Sequence, residues 1–539
     1  MDSAGQRALA SRREQFKNFA ATTGAKAGDR RKQQAVTVGK DRREAMVRAK
    51  RIRRDMDDGL ARGEMQGEQA DEAALATSVK EAVEALRASK GKDGALVALR
   101  QLRKLLSVGQ YPPVDVAVAA GAVPLLGEAL QFGVSGPEQL LEAAWCLTNI
   151  ASGDTDQATA VLPTAPLLIA HLQGRALDVA EQFAWALGNL AGEGQELRDV
   201  LLANGALGPL SARVAETERP GSTLKQTAAW ALSNLLKGPS QKAASEAIKN
   251  GPLINALVAG LDGGSPALVT EVAWILTYLA AGPEAHADRL IKLGALPPLV
   301  RHLVTATEKH VVIPVLRAVG NVVSGQDSKT DAVFVAAPGG AGSVVAALCR
   351  CLQSGERTLQ KEAAWAVANI AGGTLQHKQA VATPDVIAAA ARLLQEAAFD
   401  VKKEAGFALA NMCAAPGGGG AVVLSHLEAV VRAGCLPGFL ALVRSPDQEA
   451  ARLGVQFAEV VLRALPNGRG VKLVEEADGI DALESLQYHG NDELRNMANS
   501  LVDRYYGEEY GMEEEGLEEG SKAVQQDLPA WRNPGGMRT

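Results

Sequence analysis

One eight-residue pattern, E-x-x-W-x-x-x-N with a glycine close behind it, returns along the chain at spacings of 40 to 48 residues. It stands as Glu142-Ala-Ala-Trp145-Cys-Leu-Thr-Asn149, as Gln182-Phe-Ala-Trp185-Ala-Leu-Gly-Asn189 and as Thr227-Ala-Ala-Trp230-Ala-Leu-Ser-Asn234. It continues as Trp274 with Tyr278, Arg317 with Asn321, Trp365 with Asn369 and Phe407 with Asn411, and Arg452 with Gln456 is a worn copy. A second marker lies between these segments: Ala120-Gly-Ala-Val-Pro124, Asn204-Gly-Ala-Leu207, Leu293-Gly-Ala-Leu-Pro297 and Ala433-Gly-Cys-Leu-Pro437. Each predicts a turn where one helix stops at Gly and the next begins near Pro.

A period of this length with two or three helices per unit is the signature of armadillo or HEAT repeats. Such units cannot bury their apolar faces alone and gain a core by stacking on their neighbours. A length of 539 residues would otherwise suggest several globular domains. The repeat predicts instead an all-α armadillo (ARM) repeat chain, a right-handed superhelical solenoid of about ten repeats over residues 75–506. A basic arm at 1–60, a linker at 61–74 and an acidic, disordered tail at 507–539 complete the expected organisation. Aromatic residues make up only 4% of the chain, and Ala and Leu take the place that β-branched and aromatic residues hold in sheet proteins. With 47% hydrophobic and 22% charged residues the chain is a folded protein.

The register of the repeat points to chemistry. Ala143, Leu147 and Ile150 form an apolar stripe suited to packing against the next repeat, while Trp145 and Asn149, four residues apart, lie on a different face. Two readings are open for that second face. In one, Trp is core and Asn ties a neighbouring loop. In the other, the register faces solvent, because Arg317 occupies a Trp position and an unpaired guanidinium is seldom buried. The second reading makes a groove. Helices packed about 8–10 Å apart and a peptide rising about 3.3 Å per residue give roughly three ligand residues per repeat. An Asn amide can donate to and accept from a peptide backbone. Indole faces form slots for Lys or Arg stems, each contact worth about 0.5–2 kcal/mol, and Glu193 adds charge selection. The expected ligand is an extended basic peptide.

Runs such as Trp145-Cys-Leu-Thr-Asn-Ile-Ala-Ser-Gly153, Trp185-Ala-Leu-Gly-Asn-Leu-Ala-Gly-Glu193, Leu316-Arg-Ala-Val-Gly-Asn321 and Lys361-Glu-Ala-Ala-Trp365 resemble importin-α (karyopherin-α), the armadillo adaptor of nuclear import. The text, including Ser445-Pro-Asp-Gln-Glu-Ala-Ala-Arg-Leu-Gly454, is most similar to a divergent plant-type member. The resemblance implies a major site for nuclear localisation signals on Trp145, Asn149, Trp185, Asn189, Glu193, Trp230 and Asn234. It implies a minor site on Arg317, Asn321, Trp365, Asn369, Glu404, Phe407 and Asn411, with Tyr278 separating the two. It also implies importin-β and basic cargo as partners, and shuttling between cytoplasm and nucleus. The last repeats, near Glu493 to Tyr506, would contact the export receptor that recycles the adaptor. Three positions depart from the family pattern: Glu193 stands where the family has Asp, Ala158 where it has Thr, and Phe407 where it has Trp.

The net charge of −6 hides an asymmetry: between Arg30 and Arg54 there are 11 basic and 2 acidic residues, so the segment carries +9 and the remainder −15. Arg30, Arg31, Lys32, Arg42, Arg43, Arg48, Lys50, Arg51, Arg53 and Arg54 resemble the family's importin-β-binding segment. A nucleic-acid arm and an Arg-rich organelle presequence are the other readings of such a segment. Lys50-Arg51-Ile52-Arg53 also fits the short signal pattern K-[KR]-x-[KR]. Tethered by a short flexible linker it would compete for its own groove at millimolar effective concentration, an autoinhibition relieved by importin-β.

Other chemistry is not indicated. Seven histidines (171, 286, 302, 310, 377, 426, 489) show no metal-ligand spacing, and H-E-x-x-H and G-x-S-x-G are absent. Five cysteines, Cys146, Cys349, Cys351, Cys413 and Cys435, read as buried reduced thiols. Gly417 to Gly420 reads as a loop insertion, and the uncharged stretch 332–349 contains Pro338 and is a poor membrane span. The expectation is therefore a non-enzymatic import adaptor without cofactor, metal, nucleic-acid or membrane partner. A specialised armadillo scaffold or chaperone for a few basic proteins is the alternative.

Overall fold

The computed structural model describes residues 72–507 apart from 90, 108–111, 217–222, 239–240 and 417–419. The basic arm, nearly all of the acidic tail and the centre of the Gly417–Gly420 loop lie outside the described residues. The first described helix, Glu72–Ala88, starts within the segment expected to be a linker. All regular structure among the described residues is helical, with one isolated antiparallel bridge, Ala414 to Val422, closing a loop. The chain forms two compact units, one ending at His302 and the other starting at Leu303.

In the N-terminal unit five long helices, Lys92–Leu105, Pro137–Ile150, Leu177–Glu193, Leu224–Leu236 and Pro266–Ala280, pack in chain order, each on the one before. Further helices such as Leu207–Ala215 and Gly251–Gly263 pack behind them and on each other. The stripe of Ala143, Leu147 and Ile150 is fully buried, as its spacing predicts. Each such Leu or Ile contributes about 1.5–3 kcal/mol when removed from water. The turn markers also behave as expected: Gly121, Gly205, Gly294 and Gly434 have φ of 83°, 79°, 79° and 77°, the left-handed conformation that a side chain resists. At the helix starts the Ser265 hydroxyl accepts from Leu268 N, and Pro137 and Pro266 stand in the first turn, where a missing N–H costs nothing.

The C-terminal unit repeats the plan with Lys309–Val323, Arg357–Ala371, Phe399–Cys413, Gln448–Ala464 and Asp492–Tyr506 as its long helices in chain order. Behind them run Gly340–Gln353, Pro384–Glu396, Leu436–Val443 and Gly479–Glu484. The rings of Phe439 and Phe457 stack at 3.7 Å in the core between two of these layers. The uncharged stretch 332–349 is divided between the helices Asp327–Ala336 and Gly340–Gln353, and no single described helix is long and apolar enough to cross a membrane. All five cysteines are free and buried, and burial pushes the thiols of Cys146, Cys413 and Cys435 up.

Candidate functional site

In the N-terminal unit the repeated register lines up on successive long helices. Trp185 and Trp230 stand 5.6 Å apart between ring centroids, tilted by 49°. Trp230 owes its place to Gly188 of the preceding helix, where a methyl group would stand 2.2 Å from Trp230 Cζ3. The Asn amides follow one rule: Asn189 Nδ2 donates to Thr148 O at 3.0 Å and Asn234 Nδ2 to Gly188 O at 3.0 Å, in each case the carbonyl just before the preceding repeat's Asn. Asn149 Nδ2 donates to Ser107 Oγ at 3.0 Å. The donor of each of these amides is thus held by the repeat before it. Asn189 Oδ1, fully buried, lacks a hydrogen-bond partner. Glu193, half-buried and one turn beyond Asn189, accepts from Thr155 Oγ1 at 2.9 Å.

The C-terminal unit shows the same rule with variations. Asn411 Nδ2 donates to Ala368 O at 2.9 Å, and Trp365 packs over Gly320, where a methyl group would stand 2.3 Å from Trp365 Cζ3. Asn369 breaks the rule, since its Nδ2, on a buried residue, has no hydrogen-bond partner. Asn321, Glu404 and Phe407 are half-buried. Arg317 is buried and its Nη2 lies 2.9 Å from Glu362 Oε1 on the next long helix.

Two expectations are thereby corrected. The solvent-facing reading of the register rested on an unpaired Arg317, and Arg317 is buried because Glu362 neutralises it. The indoles at this register, Trp145, Trp185, Trp230, Trp274 and Trp365, are only 1–8% exposed and do not form a free-standing ladder, and Trp230 and Trp365 pack over Gly188 and Gly320 of the preceding repeat. The Asn amides likewise tie neighbouring repeats, as the core reading expected, and one atom each of Asn189 and Asn369 remains unspent. The expected residues do fall on successive long helices within each unit. The basic residues from Arg30 to Arg54 lie outside the described residues.

Sequence reasoning missed several participants. The register extends one repeat earlier to Arg103 and Ser107, 42 residues before Trp145 and Asn149: Arg103 Nε pairs with Glu142 Oε2 at 2.7 Å, and its guanidinium sits 5.4 Å from the Trp145 ring centre. At the other end Arg452 Nη2 donates to Glu493 Oε2 at 2.8 Å, and this bond holds the Glu493 carboxyl below the usual carboxylate range. Arginine at a Trp position is therefore matched three times by a Glu on the next long helix. For two of them the signal is legible, because Glu142 and Glu362 stand three residues before Trp145 and Trp365. The hydroxyl beside Glu193 comes from Thr155, while Ala158 is buried and offers only a methyl. Among the described residues no group of His, Cys, Asp or Glu is placed to hold a metal ion.

Two segments match armadillo family models: residues 343–372 the Armadillo/beta-catenin-like repeat, and residues 471–520 the Atypical Arm repeat. Among solved structures the chain is similar to the crystal structure of an engineered protein, with a TM-score of 0.68 and 27% identity, covering 79% of this chain and 98% of that one. Fold and register together define an armadillo repeat protein. Importin subunit alpha-9 of Arabidopsis thaliana is 46% identical over 504 residues, covering 90% of this chain and 96% of that protein. Importin subunit alpha-2 of Oryza sativa subsp. japonica is 44% identical over 90% of this chain and 94% of its own length. The chain belongs to the importin-α family, whose members are transport adaptors and not enzymes.

Proposed function

We propose that this protein is a nuclear import adaptor that holds basic nuclear localisation signals in extended form along its Trp/Asn register and links them to importin-β. Membership of the importin-α family supports the adaptor role, and that role implies importin-β and signal-bearing cargo as partners and movement between cytoplasm and nucleus. The observation that carries the site assignment is the alignment of the Trp and Asn positions on successive long helices within each unit, with the half-buried Glu193 in one unit and the half-buried Asn321 and Glu404 in the other. An Asn amide can donate to and accept from a peptide backbone, whatever the peptide's side chains. Glu193 and Glu404, both half-buried, supply negative charge one turn from Asn189 and before Phe407, whose half-buried ring offers a cation–π face to a Lys or Arg stem.

The basic arm completes the mechanism. Its Lys50-Arg51-Ile52-Arg53 run competes for the register until importin-β takes the arm, so cargo affinity rises when importin-β binds. The test is a pull-down of importin-β with the full chain, followed by titration of basic signal peptides with and without importin-β. Capture of importin-β through residues 30–54, with tighter peptide binding in its presence, supports the reading. Failure to capture importin-β contradicts it.

A further inference from the structure

We propose that Lys378 is a positioning residue of the C-terminal register: its ammonium ties the backbone of Asn411 to the helix before it and so sets where the Asn411 amide meets a bound peptide. The inference rests on the peptide-binding reading above and adds a residue that the repeat pattern does not contain.

Lys378 lies on the short helix Leu375–Val381, which Thr374 caps by accepting from His377 N. The side chain is buried, and among the described residues no carboxylate pairs with it. Its Nζ donates to Ala371 O, the last residue of Arg357–Ala371, and to Asn411 O at 2.8 Å on Phe399–Cys413. Both carbonyls are at helix C-termini, where intrahelical donors run out and a cation is favoured. The donor that would normally reach Asn411 O, Ala415 N, turns away to Ala421 O as the loop begins, and Lys378 takes its place. Asn411 is therefore held twice by the preceding repeat, through its side chain on Ala368 O and through its carbonyl on Lys378.

Two N-terminal repeats carry a polar residue at the same position. Arg198 Nη1 donates to Ala191 O at 3.0 Å and His286 Nδ1 lies 3.3 Å from Leu279 O, each seven residues after the carbonyl, as Lys378 is after Ala371. A helix cap of this kind needs one carbonyl. Lys378 adds a second on the next long helix, at the very residue whose amide belongs to the candidate site.

The test uses the full chain and two labelled peptides, one with a single basic cluster and one with two separated clusters. The second cluster should tighten binding to the wild type, and Lys378→Met should remove about tenfold of that gain, the size of one lost charge-assisted hydrogen bond. Binding of the single-cluster peptide should stay unchanged, and Lys378→Arg, which restores a buried cationic donor, should recover most of the loss. If Lys378→Met does not fold, Lys378→Gln carries the same comparison with an intermediate loss. A Lys378→Met or Lys378→Gln protein that keeps the whole gain overturns the positioning role while leaving the binding reading intact. A wild type that gains nothing from the second cluster overturns the minor-site reading, and this proposal with it.

Discussion

Arg317 Nη2 stands 2.9 Å from Glu362 Oε1, and the two side chains are only 7% and 4% exposed. A charge can therefore occupy an indole position in the stacked interior because its countercharge arrives from the next long helix. Removing one partner of a buried pair costs about 3–5 kcal/mol, whereas replacing both by apolar groups costs far less. Arg317→Leu and Glu362→Leu should each lower the Tm of the full chain, and the double variant should be more stable than either single one. Additive losses measured by calorimetry would show that the two residues are not coupled.

Gly188 and Gly320 leave room for the indoles of Trp230 and Trp365. A methyl group at either position forces the ring or the helix to move, at about 1–3 kcal/mol. Gly188→Ala and Gly320→Ala should therefore destabilise the protein. Gly208→Ala, on a helix with nothing within 4 Å of the new methyl, should be neutral or stabilising. Equal Tm values for all three would contradict the packing described.

Burial holds the Lys378 ammonium at a pKa of about 8, down from 10.5, against opposing pulls from Cys413 and Asp327. Between those two values the unfolded chain binds this proton more tightly than the folded one. The contribution of Lys378 to stability accordingly rises with pH through that window, and below pH 8 the full cost of burying the charge is present. Relative to Lys378→Met, the wild type should gain about 2 kcal/mol of unfolding free energy between pH 8 and 10. A pH-independent difference between the two proteins, measured by denaturant titration, would show that the lysine titrates normally.

Deletion of residues 1–60 should raise affinity for a basic signal peptide by removing the tethered competitor Lys50-Arg51-Ile52-Arg53. The check is the dissociation constant of one peptide for both chains at a single salt concentration, since exposed charge interactions are screened by salt. Equal constants would exclude autoinhibition by the arm.

The period, the Gly turns and the stripe of Ala143, Leu147 and Ile150 were legible because each is a local or strictly repeating signal. Which of the two readings of the tryptophans holds was not. It depends on Gly188 and Gly320, which look like ordinary helix residues until the next repeat's indole is laid over them, and on Glu362, which lies 45 residues from Arg317. The first copy of the register was hidden for the same reason, since Arg103 and Ser107 bear no likeness to Trp and Asn until Glu142 and Asn149 are brought against them. Lys378 is invisible to the pattern altogether, because its partners are two main-chain carbonyls.

The central claim is that the Asn register of both units holds the backbone of a basic peptide. It is tested most directly by titrating a fluorescent two-cluster signal peptide against the wild type, Asn189→Ala, Asn369→Ala and the double variant, in the presence of importin-β. Each single substitution should weaken binding about tenfold and the double about a hundredfold, with Tm values close to the wild type for Asn369→Ala, whose donor holds nothing in the fold. Wild-type affinity in the folded double variant would contradict the account.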